Sequence, residues 1–190
     1  MSRCLIMVDL QNDYFAGGIM QLAGIEDAAE NARLLLTEFR KTKSPIIHVQ
    51  HISVPPNAFF FLPGTDGAKI NDRVAPQEGE EVVVKNYPNS FRDTALLEIL
   101  RNLHIDDLVI CGAMSHMCID ATTRAAFDLG FNCVVAEDAC ATMDLFFNNK
   151  IIKASEVHAS FMAALSFPYA KVISTRNILK DMATLVQIRR

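Results

Sequence analysis

A chain of 190 residues, 51% hydrophobic and 21% charged, can bury one continuous core and is too apolar to be disordered. Its formal net charge of −4 and pI near 5.7 leave no electrostatic footprint for nucleic acid or an anionic membrane. No apolar run reaches the roughly 18–20 residues that span a bilayer, so neither nucleic acid nor a membrane is an expected partner.

The chain opens "MSRCLIMVDLQND", one basic residue and a short apolar run followed at once by charges. This lacks the length and the small-residue cleavage site of a signal peptide and reads as a first strand. The five cysteines, Cys4, Cys111, Cys118, Cys133 and Cys140, are odd in number and lie mostly in apolar segments. Reduced thiols and a cytoplasmic location are therefore expected, rather than a disulfide framework. With no repeat, low-complexity tract or linker, residues 1–190 are expected to form a single domain, ending in Arg189-Arg190 as a solvated tail.

"CLIMVD" (4–9) is an apolar run closed by a carboxylate, the pattern of a strand buried on both faces. Ile25, Ala28, Ala29, Ala32, Leu35, Leu36 and Phe39 then recur at helical spacing, with Glu26, Asp27 and Glu30 at the N-terminal end. "PIIHVQHI" (45–52) predicts the second strand. Residues 53–79, rich in Pro and Gly, predict a long loop of functional or mobile character. "EVVVK" (81–85) is the third strand. Leu96, Leu97, Leu100 and Leu103 mark a helix capped by Asp93 or Thr94. "DDLVICG" (106–112) is the fourth strand, 117–130 a helix, and "NCVVAED" (132–138) the fifth strand. A helix over 149–166, a sixth strand "AKVIS" (170–174) and a short helix after Arg176 complete the pattern. Strands alternating with helices imply right-handed crossovers and a parallel sheet covered on both faces, a three-layer α/β/α sandwich.

Open parallel sheets bind ligands outside the carboxyl ends of their strands. Asp9 closes the first strand, Lys85 closes the third, and Cys118 begins the helix after the fourth. The positive end of a helix and a nearby cation both favour a thiolate, the reactive form of cysteine. Ser115 could cap that helix, whereas Asp120 adds opposing negative charge to its first turn. A strand-end Asp also serves as a turn residue, and a cysteine as a small core hydrophobe, so on these residues alone both readings stand.

Together, "LIMVDLQNDY" (5–14), "VVVKNYPNSF" (82–91), "ICGAMSHMCIDATTRAAFDLG" (110–130) and "VVAEDACAT" (134–142) resemble the isochorismatase-like cysteine hydrolases, relatives of nicotinamidase and N-carbamoylsarcosine amidohydrolase. The resemblance implies a Rossmann-like six-stranded sheet of order 3-2-1-4-5-6 and a catalytic triad of Asp9, Lys85 and Cys118. It also implies a cis peptide between Ala113 and Met114 and an oxyanion hole from the N–H groups of Met114 and Cys118. The activity expected is hydrolysis of a C–N bond in a small amide, lactam or carbamoyl compound through a Cys118 acyl-enzyme. Asp9 would be the general acid/base and Lys85 the charge stabiliser. Isochorismatase-type ether hydrolysis and a non-catalytic binding protein on the same fold are the alternatives.

Tyr14 and Phe91 match positions that line the family's pocket. Nicotinamidases of the family carry a metal on an aspartate and two histidines after the second strand, but "HVQHISVPPNAFFF" lacks an Asp-x-His pair. His48 and His51, three apart on a strand, should point to opposite faces. No metal and no cofactor are therefore expected. "AFFFLPG" (58–64) is expected to form a lid or a subunit interface, and an exposed three-Phe run favours a homo-oligomer. His158 on its apolar stripe and His116 near the nucleophile are read as structural rather than catalytic.

Overall fold

The computed structural model describes residues 2–188, with side chains through Thr184; the Arg189-Arg190 tail lies outside the described residues. A six-stranded, all-parallel sheet is ordered β3-β2-β1-β4-β5-β8, built from β1 (Ser2–Val8), β2 (Ile46–His51), β3 (Glu81–Lys85), β4 (Ile105–Ala113), β5 (Asn132–Ala141) and β8 (Lys171–Ile173).

Side-chain alternation along the central strands explains why both faces must be covered. Leu5 and Met7 of β1, with Val109, Cys111 and Ala113 of β4, enter one core cluster. Helix α1 (Ile25–Lys41) closes it with Ala28, Ala32, Leu35, Leu36 and Phe39, and α5 (Thr175–Ile188) adds Ile178 and Met182. Cys4, Ile6 and Val8, with Leu108 and Ile110, enter the second cluster. That face is covered by α2 (Leu96–Asn102), α3 (Asp120–Asp128) and α4 (Ala154–Leu165), through Leu96, Leu100, Ala126, Met162 and Leu165. A strand buried on both faces cannot alternate polar and apolar, which accounts for the continuous apolar run at residues 4–8.

The expected strand order holds, with β8 in the sixth place because two short strands intervene. β6 (Leu145–Phe147) and β7 (Lys150–Ile152) form a separate antiparallel hairpin. Asn148 and Asn149 turn it with φ of 49° and 60°, a pair that fits a type I′ turn. Helix α4 accordingly begins at Ala154 rather than 149, and α5 runs for 14 residues rather than a short turn. Neither expected side chain holds the N-cap of α2: Ala95 stands there, while Thr94 Oγ1 accepts the Leu96 N–H at 3.3 Å.

β1 and β4 lie side by side, but the chain reaches β2 from one and β5 from the other, so their carboxyl ends form the crevice of a topological switch point. Gly112 sets how closely they meet. Its φ is 125°, and a Cβ there would lie 1.9 Å from the Val8 carbonyl oxygen. We expect Gly112→Ala to destabilise the fold by about 3 kcal/mol or more, through backbone strain and forced separation of the two strands. Urea unfolding should show the loss as a lowered midpoint; an unchanged midpoint would refute this account of the β1–β4 contact.

Candidate active site

Three strand ends deliver the charged and nucleophilic side chains. Asp9 leaves β1 with φ of 52°, in the left-handed region that Asp tolerates better than most residues. Lys85 ends β3, and the β2–β3 register sets His51 opposite it. Cys118 sits in a π-helical turn, Ser115–Ile119, between β4 and α3.

That turn is fastened from two sides. Ser115 does not cap the helix; Met114 stands at the N-cap position. The Ser115 hydroxyl instead donates to the Ala141 carbonyl at 3.2 Å and pairs with His158 Nδ1 at 2.8 Å. His116 Nδ1 pairs with Thr142 Oγ1 at 2.6 Å. Both histidines thus hold the turn against β5 and α4. Asp120 accepts from Arg124 Nε at 2.9 Å, so its charge is matched by a neighbouring cation.

At the centre, Lys85 Nζ donates to Asp9 Oδ2 at 2.7 Å and to Cys118 Sγ at 3.3 Å, and lies 2.9 Å from His51 Nδ1. The Asp9 and Lys85 side chains are wholly buried, and Asp9 Oδ1 has no hydrogen-bond partner among the described residues. Burial alone would lower the Lys85 pKa, but the negative charge of Asp9 and the Cys118 sulfur outweigh it and raise the value above that of an ordinary lysine. Burial works against the expected thiolate. Burial pushes Cys118 well up, Asp9 pushes the same way, and Lys85 only partly opposes them. Burial thus favours the protonated thiol, next to the buried Asp9–Lys85 ion pair.

The Ala113–Met114 peptide is cis, and the Met114 N–H has no hydrogen-bond partner in the described structure. The Met114 carbonyl accepts from both Met117 and Ile119, which fixes the start of the turn.

Residues 53–79 are pinned over this crevice by the three residues that follow Leu10. Gln11 Nε2 donates to the Ala68 carbonyl, Asn12 Nδ2 to Asp66, and Asp13 Oδ2 accepts the Phe61 N–H at 2.6 Å. Gly67 is required beside Asp13, since a Cβ there would lie 2.0 Å from Asp13 Oδ1. The aromatic run folds inward: Phe61 is buried, its ring centroid 4.6 Å from that of Tyr14, while Phe59 stays exposed. This corrects the picture of an exposed three-Phe run, and the argument for a homo-oligomer built on it lapses. Tyr14 is itself buried, and burial followed by the nearby charges of Asp9 and Cys118 raises its phenol pKa. Its hydroxyl has no hydrogen-bond partner among the described residues. Phe91, partly buried at the edge of the second core cluster, stacks on Phe131 with ring centroids 6.1 Å apart.

His48 and His51 part company as their spacing predicts. His48 Nε2 meets Glu80 at 2.9 Å beneath Arg40, at the far end of the sheet, next to an open surface cavity lined by Arg40, Lys43, Gln77 and Glu80. Asp9, His51 and Cys118 bring donor atoms within 4.8 Å of one another, a grouping that a metal could use. The distances above put the Lys85 ammonium among those three donors, so the residues do not fit a resident metal ion. Burial and then the Lys85 charge lower the His51 pKa to about 4, leaving its ring neutral near pH 7. His51 was missed as a site residue because strand register, which sequence spacing does not reveal, is what sets it beside Lys85.

An isochorismatase domain model matches residues 3–176, most of the chain. The chain belongs to the isochorismatase family. Among its relatives is an uncharacterised isochorismatase family protein of Bacillus subtilis, 49% identical over 95% of this chain and 100% of that protein. A secreted isochorismatase effector of Verticillium dahliae is 34% identical, over 92% of this chain and 88% of that protein. A streptothricin hydrolase of Streptomyces noursei is 32% identical, over 75% of this chain and 51% of that protein. The crystal structure of an isochorismatase-type hydrolase from Oleispira antarctica superposes with a TM-score of 0.91 at 53% identity, covering 94% of this chain and 96% of that one. The family acts on small molecules, and among the described residues of this member no helix is long and apolar enough to cross a membrane.

Proposed function

We propose that this isochorismatase-family hydrolase cleaves the C–N bond of a small amide, lactam or carbamoyl compound through a Cys118 acyl-enzyme. The observation that carries the reading is the Lys85 ammonium bridging Asp9 Oδ2 and Cys118 Sγ in a buried crevice. Asp9 takes the thiol proton as Sγ attacks the carbonyl carbon, and Lys85 balances the charge that moves from oxygen to sulfur and back. Burial, which favours the protonated thiol, suits this order, because the proton leaves only when a nearby base receives it. The oxyanion faces the N–H groups of Met114 and Cys118. Collapse breaks the C–N bond, Asp9 returns the proton to the departing amine, and a thioester remains. Asp9 then deprotonates a water that attacks the thioester; the acid leaves and the thiol regains its proton. Tyr14 and Phe61 form the aromatic wall, with the Tyr14 hydroxyl available to the substrate.

The streptothricin hydrolase relative supports C–N cleavage. The relative named as an isochorismatase effector favours a second reading, cleavage of a vinyl ether. A screen of small amides, ureides, lactams and isochorismate separates the two. Ammonia or amine release, absent from a Cys118→Ala control, is the expected result. Cleavage of isochorismate alone, unaffected in that control, would replace the amide reading with the ether one.

A further inference from the structure

Resting on that reading, we propose that His51 is a positioning residue for the Lys85 ammonium. An ammonium group has three N–H donors and accepts nothing, so each contact it makes must be to an acceptor. Asp9 Oδ2 and Cys118 Sγ take two of them, and His51 Nδ1 at 2.9 Å takes the third. The His51 ring is therefore neutral, with its proton on Nε2.

The chemistry of this third partner matters. With all three hydrogens assigned, the ammonium cannot rotate to pair more fully with the carboxylate at the expense of sulfur. A carboxylate in the third place would hold the lysine equally well but cancel its charge, weakening its pull on the sulfur. A neutral imidazole fixes direction and leaves the charge intact.

The scaffold holds His51 for this task. The buried Gln11 accepts the His51 N–H at 2.7 Å through Oε1 and donates to the His51 carbonyl at 2.8 Å through Nε2. Gln11 lies two residues beyond Asp9, so one short segment places both the carboxylate and the histidine backbone. Immediately after His51, the Ile52 N–H donates to the Lys85 carbonyl at 2.9 Å, locking the two strands in register. The charged groups facing the ring are Lys85 and Asp9.

Two measurements test this without a known substrate. In the wild-type protein, nitrogen NMR of the imidazoles should show Nδ1 of His51 unprotonated and Nε2 protonated at neutral pH. A protonated Nδ1 would overturn the proposal. The second measurement is alkylation of Cys118 by iodoacetamide, followed by mass spectrometry as pH is raised. His51→Leu keeps ring-like bulk but offers no acceptor, so the alkylation rate at a given pH should fall about tenfold, equivalent to one unit of thiol pKa. His51→Asn returns an acceptor near the place of Nδ1 and should recover most of the wild-type rate. Equal rates in all three proteins would overturn the proposal, as would equal losses in both variants with the wild-type melting temperature retained. If a variant fails to fold, the wild-type NMR result decides. The hydrolase reading fails separately, when Cys118→Ala retains full turnover.

Discussion

Cys118→Ala is expected to lower kcat by at least about four orders of magnitude, with the fold intact. The effect is large because the nucleophile begins the covalent route, and among the described residues Cys118 is the one thiol that Lys85 meets. Cys111 and Cys140 are buried within β4 and β5. The structural cost is small by comparison. Cys118 is 3% exposed, and alanine removes one sulfur atom from a packed turn, about 1 kcal/mol. Turnover of any amide found in the screen, followed beside circular dichroism, checks both halves. A variant that stays active refutes the acyl-enzyme; one that unfolds would show that the thiol supports the turn itself.

Lys85→Met should harm activity and stability together, in a way that a second substitution can pull apart. Removing the ammonium leaves Asp9 wholly buried with neither carboxylate oxygen paired, since Oδ1 already lacks a partner. Breaking a buried ion pair from one side costs about 3–5 kcal/mol, and for a chain of this size melting should fall by roughly 10 °C. Replacing both members, Asp9→Leu with Lys85→Met, removes the stranded charge. Melting should then return most of the way toward wild type, while hydrolysis stays lost. Recovery of activity in the double variant would sink the proposed roles of both residues. Failure of stability to recover would mean that the pair holds the fold through contacts beyond its own charge, with His51 the first to examine.

The three strand ends could be read from the sequence because each follows a short apolar run, and alternating strands and helices leave few topologies. The resemblance then supplied the strand order and the cis peptide, which residue spacing does not contain. Other features escaped for physical reasons. The β6–β7 hairpin has three-residue strands, and its Asn148-Asn149 turn signal lies at the start of the helix expected over 149–166. Ser115 looked like a cap because caps are judged by nearness to a helix start, whereas a hydroxyl partner across the fold, His158, claimed it. Helix polarity and a nearby cation are visible in the sequence of the Cys118 turn, whereas the depth of burial that raises its thiol pKa is not. His51 was weighed only against His48, its neighbour along the chain, although its real neighbour lies across a strand pair.

The placing of β1 at the middle of the sheet has a consequence for biosynthesis. Leu5 and Val8 have their partners on one side in β2, but on the other side wait for Val109 and Gly112. A nascent chain that has emerged only through β3 therefore displays an open, apolar strand border, the kind that recruits like segments from neighbouring polypeptides. Protection of that border begins with translation of the very strand that leads into the nucleophile, so safe folding and chemical competence mature within the same few residues of synthesis.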